Sequence, residues 1–115
     1  IIFIMPYITS KSRQQLDLYI DQLADKIVEE SKNENYDAAF AGLLNYSCTK
    51  LALQVIYKRF GKLRYWLVAI VSGVFNNIGE EFYRRLAAPY ENKQIQKNGD
   101  VDLYSQFEKI IEQEP

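Results

Sequence analysis

The chain has 115 residues, 48% hydrophobic and 25% charged, with 14 basic side chains against 15 acidic ones and a formal net charge of -1. That length supports one domain, and that balance excludes both global disorder and a strongly basic duplex binder, whose affinity comes mostly from Lys and Arg on phosphate. There is no histidine and one cysteine, Cys48, which excludes His-based triads, His general bases and zinc sites and fits a reducing, cytoplasmic setting.

Ile1 to Ile4 precede Met5 and read as an extension, with an edge strand or a partner contact as the alternative; the single helical domain is expected over residues 5–115. The opening "IIFIM" is too short to span a bilayer and lacks the basic start of a signal peptide, and "LVAIVSGVF" at 67–75 is also too short. No membrane partner is therefore expected.

Thr9 or Ser10 can cap a first helix over residues 10–31, in which Leu16, Tyr19, Ile20, Leu23, Ile27 and Val28 recur at three- and four-residue steps. After the polar "SKNEN", Phe40, Leu43, Leu44, Ser47, Leu51 and Val55 continue a second helix over about 35–60. Lys58 and Arg59 suit its C-terminal carbonyls and Gly61 its left-handed close. A third helix over 63–88 is apolar on nearly every face at first, so burial against more than one neighbour is expected. It then narrows to the stripe Ile78, Phe82 and Leu86. Pro89 is expected to end it, followed by a polar connector with the turn "KNGD".

The tail "DLYSQFEKIIEQ" aligns Leu103, Phe107, Ile110 and Ile111 on one edge of a short helix, within a tail running over 101–115. Such a helix is marginal alone and needs a core or a second subunit. The fold class expected is all-α: a three-helix antiparallel bundle plus a short C-terminal helix. One almost wholly apolar helix leaves surplus hydrophobic surface, which calls for a homo-oligomer.

Candidate chemistry concentrates in residues 80–101. Asn76, Glu80 and Arg84, and one residue on Asn77, Glu81 and Arg85, stand at i, i+4, i+8, so each trio shares a helix row. Glu80–Arg84 and Glu81–Arg85 are either solvated ion pairs or carboxylates holding a guanidinium toward phosphate or a partner's carboxylate. Tyr83 and Tyr90 beside Arg84, Arg85, Lys93 and Lys97 can stack on a base and clamp an anion. The segment holds four acids and four bases, so a small nucleotide suits it better than a long nucleic acid. Asp37, Glu80, Glu81, Glu91 and Asp100 offer magnesium ligands for nucleotide pyrophosphohydrolysis, but Arg84 stands where the Glu-Glu-x-x-Glu row of such enzymes needs an acid. Cys48, with no histidine to activate it, reads as a buried small hydrophobe.

"MPYITSKSRQQLD" from Met5, "LNYSCTKL" at 44–51, "GV" at 73–74 and "EFYRRLAAPYENKQIQKNGDV" at 81–101 resemble a family of small uncharacterised proteins of phages, prophages and bacteria. The resemblance covers Met5 to about Val101. Many relatives carry Asn-Glu ahead of the Gly-Val and Glu soon after it, where this chain has Ala69, Ile70 and Asn76. What the resemblance implies is a mobile-element accessory protein, acting in the host cytoplasm on a host protein or on a small signalling nucleotide in counter-defence. No cofactor, metal or catalytic residue is expected. The ligand-binding set is Asn77, Glu81, Tyr83, Arg84, Arg85, Tyr90 and Lys93. A magnesium-dependent nucleotide hydrolase and a structural or virion-associated bundle are the alternatives.

Overall fold

A computed structural model describes residues 5–115, and the expected extension Ile1 to Ile4 lies outside them. The described residues are helical, with no strand among them: α1 (Ser10–Ser31), α2 (Ala39–Phe60), α3 (Tyr65–Phe82), a π-helical turn (Tyr83–Ala87), α4 (Ala88–Asn98) and α5 (Asp102–Gln113). The chain divides into two units, Ile1–Phe75 and Asn76–Pro115.

In the first unit, Thr9 is extended at φ -64° and ψ 154°, and its Oγ1 accepts the Ser12 backbone N–H at 3.3 Å. This satisfies one of the four N–H groups that a helix start leaves open. At the other end of α1 the Ser31 hydroxyl donates to the Val28 carbonyl at 2.6 Å. α2 starts at Ala39 instead of 35. Asn35, Tyr36 and Asp37 lie in bends and turns, with the Ala39 N–H on the Tyr36 carbonyl at 3.2 Å. Asn and Asp side chains compete for nearby backbone and so favour turns over a helix interior.

Gly61 closes α2 at φ 73°, its N–H on the Tyr57 carbonyl at 2.8 Å, with Lys58 and Arg59 in the last turn as expected. α1 packs against α2, and the short link through residues 32–38 makes them a helical hairpin. Phe60 meets Trp66 edge to face, ring centroids 5.4 Å apart at 84°, which ties the end of α2 to the start of α3. The buried residues among those described are Ala39, Ile56 and Leu67. The apolar first half of α3 is thus not buried on all faces: Leu67 is 4% exposed, whereas Tyr65 is 86% and Trp66 52% exposed. Among the described residues, none covers the Tyr65 side of the helix, and Phe60 covers Trp66 only in part.

In the second unit, α4 occupies the stretch expected to be a polar connector. Glu, Lys and Gln in "ENKQIQK" are good helix formers, and the π turn admits Pro89 into the run. Gly99 ends α4 at φ 89° and Asp100 Oδ1 accepts the Val101 N–H at 2.7 Å, with Lys97 and Asn98 of the expected turn lying in the last turn of the helix instead. α5 coincides with the expected tail helix. Its Leu103, Phe107, Ile110 and Ile111 are all exposed, as are Ile78, Phe82 and Leu86 of the expected third-helix stripe.

Two glycines separate backbone cost from packing. A Cβ at either Gly61 or Gly42 meets no atom within 4 Å, but only Gly61 has positive φ. In urea melts, Gly61→Ala is expected to destabilise by about 1 kcal/mol, and Gly42→Ala, inside α2, to stabilise by about 0.5–1 kcal/mol.

Candidate functional site

Seven residues were singled out, and all lie in the second unit. Asn77 and Glu81 belong to α3, Tyr83, Arg84 and Arg85 to the π turn, and Tyr90 and Lys93 to α4. Pro89 accounts for the turn. Proline has no N–H to give the carbonyl four residues back and its ring crowds that carbonyl, so a regular helix breaks or kinks there. Instead the preceding turn widens, and the Ala88 N–H bonds the Tyr83 carbonyl five residues back, the signature of a π-bulge. Pro89 then sits in the first turn of α4, where its missing donor costs least.

The acid–base rows resolve differently from their i,i+4 expectation. Arg84 donates to Glu81 Oε2 at 2.8 Å, an i,i+3 contact. Three-residue spacing places two helix side chains as near as four-residue spacing does. Glu81, with a side chain 24% exposed, is a sheltered carboxylate where a guanidinium is held more strongly than in open solvent. The Arg84 side chain remains 62% exposed.

Tyr83 and Tyr90 are 57% and 66% exposed, and Arg85 and Lys93 are exposed too, whereas Asn77 is half-buried. Phe82 and Leu86 add exposed apolar surface to the same segment. Asn98 Nδ2 donates to Gln94 Oε1 at 3.3 Å, stiffening the last turn of α4. Among the described residues, no three of His, Cys, Asp and Glu gather closely enough to hold a metal ion.

Another feature was not anticipated. Ala41, Gly42, Asn45, Tyr46 and Thr49 line a shallow, open depression on the surface of α2. Thr49 Oγ1 donates to the Asn45 carbonyl at 2.8 Å, and Lys50 Nζ lies 5.8 Å from the Tyr46 ring centre. The signal was the "LNYSCTKL" motif itself, in which Asn45 and Thr49 stand four apart beside two small residues. Cys48 in the same motif is exposed, contrary to its expected burial, because it lies one residue off the row of buried Ala39 and half-buried Leu43 and Ser47.

The architecture defines an all-helical protein without a helix long and apolar enough, among the described residues, to cross a membrane. The chain belongs to the family DUF6899, described as a domain of unknown function, whose model matches residues 5–101. No curated protein and no solved structure matches it.

The role given to Pro89 has a direct check. Pro89→Ala restores an N–H and lets residues 83–87 return to the ordinary helical ladder. A newly protected amide at 89 is expected in hydrogen exchange, with a stability gain well below the roughly 3 kcal/mol of an interior proline because Pro89 lies in the first turn of α4; an unprotected amide contradicts the explanation.

Proposed function

We propose that the chain is a non-catalytic, self-associating accessory protein of phage or prophage origin that binds a host protein in the cytoplasm through residues 80–101. The observation that carries this reading is the exposed set of Phe82, Tyr83, Arg84, Arg85 and Tyr90 around one π turn. Aromatic residues and arginine dominate the energetics of protein interfaces, where large rigid side chains lose little entropy on burial. π-bulges are frequent at functional sites. A small nucleotide draws its affinity from burial in a concave site, and tyrosines more than half exposed on a helix favour a broad macromolecular surface over it.

The bundle belongs to the same reading. α1 and α2 pack as a hairpin, and in this reading α3 completes an antiparallel three-helix bundle whose remaining apolar faces are closed by further copies of the chain. The lone cysteine and the near-neutral charge are compatible with that setting, and the resemblance to phage and prophage proteins supports the origin.

The test immobilises the full chain and its Tyr83→Ala and Tyr90→Ala variants and exposes them to bacterial lysate. A defined host protein should be retained by the parent and bound about 30-fold or more weakly by at least one variant, with far-UV helicity unchanged. Calorimetric heat with cyclic or linear nucleotides, lost in Arg84→Ala and Arg85→Ala, would replace the protein partner with a nucleotide. Magnesium-dependent release of phosphate or pyrophosphate would make the chain an enzyme.

A further inference from the structure

α2 carries two apolar faces. One holds the buried Ala39 and the half-buried Leu43 and Ser47. The other runs Phe40, Leu44, Cys48, Leu51 and Val55, at steps of four, four, three and four, which is the spacing that keeps side chains on one helix stripe. This second stripe spans about 22 Å at 1.5 Å per residue. All five of its side chains are exposed, the four large ones by 46 to 58%.

The charges around the stripe are biased by end. Glu29, Glu30, Glu34 and Asp37 outnumber Lys32 ahead of α2, Lys58, Arg59, Lys62 and Arg64 close or follow it, and α2 itself contains no acid and one mid-helix base, Lys50. A parallel partner of the same sequence sets acid beside acid and base beside base. An antiparallel one sets each acidic end beside a basic end, the arrangement that complementarity selects.

We propose that this stripe is the contact between two copies of the chain, paired antiparallel through α2 about a two-fold axis at Cys48. In that register opposite positions sum to 96, so Cys48 stands opposite its own mate and Asp37 opposite Arg59, while Phe40 and Leu44 face Val55 and Leu51 to within one residue, about 1.5 Å along the axis. A two-fold contact must be self-complementary in this way, residue i meeting j and j meeting i. A groove of 450 Å³ lined by Leu51, Gln54, Val55, Lys58 and Arg59 lies where the other copy brings Phe40 and Asp37, an apolar ring for the aliphatic wall and a carboxylate for the cations. The proposal deepens the self-association in the proposed function and does not involve residues 80–101, so loss of the host partner and loss of this contact are separate results.

Cys48 is the one cysteine of the chain, so an oxidant reports on the axis directly. Treating the full-length protein with copper phenanthroline should convert most of it to a dimer on a non-reducing gel, since a disulfide forms only when the two Cα atoms come within about 7 Å. Leu51→Glu should raise the dimer dissociation constant at least ten-fold. Asp37→Arg and Arg59→Asp should each weaken the dimer several-fold, and the double exchange should restore it. Parallel pairing also joins Cys48 to Cys48 but gives no restoration, so a double variant no better than the singles overturns the orientation. A dimer that resists oxidation at Cys48 overturns the register. A monomer whose melting temperature falls on Leu51→Glu means that the chain's own segment, such as α5, covers the stripe, and overturns the proposal outright.

Discussion

Apolar helix faces have to be covered by something other than water, and this chain supplies few covers of its own. Its buried residues among those described are two from α2 and one from α3, with none from α1. Exposed Leu, Ile, Val and aromatic side chains occur instead on every helix. Single exposed apolar residues are normal on proteins, but contiguous stripes mark contact surfaces. The helices are therefore individually well specified, by Thr9 at one start and Gly61 at one end, while few side chains among the described residues are buried between them. α2 shows this most, being apolar on the side of its own hairpin and on a second side that its own hairpin leaves uncovered.

The second constraint is local. Pro89 cannot continue a regular helix, yet the sequence around it is strongly helical, and the widened turn at Tyr83–Ala87 reconciles the two. One consequence is that Tyr83, Arg84 and Arg85 are carried on a helical run that continues into Tyr90 and Lys93 instead of a loose connector. A surface held on helices keeps its side chains in fewer arrangements, which lowers the entropy cost of binding. The Arg84–Glu81 contact adds orientation more than stability, because exposed ion pairs contribute at most about 1 kcal/mol.

Local signals were legible in the sequence and long-range ones were not. The bounds of α1 and α5, the Gly61 close and the break at Gly99 follow from caps, periodicity and glycine conformations contained within a few residues. The start of α2 was misplaced by four residues because Asn35 and Asp37 can serve a helix start or a turn, and the turn prevails. Pro89 usually stops a helix, and the π-bulge that accommodates it here depends on backbone geometry that no residue pattern states. In the candidate site, the residue types and their helical placement were visible, but the choice of Glu81 over Glu80 as the partner of Arg84 depends on which carboxylate is sheltered. The expected burial of the third helix failed for a similar reason: all-round hydrophobicity predicts that a helix is covered, and does not say by which chain.

Self-association is the proposed means of covering those faces. Sedimentation equilibrium of the intact protein across micromolar concentrations tests it most directly. The expected result is a mass of two or more 13.5 kDa chains that dissociates on dilution together with loss of helicity. A cooperatively folded species of one chain's mass at every concentration contradicts it.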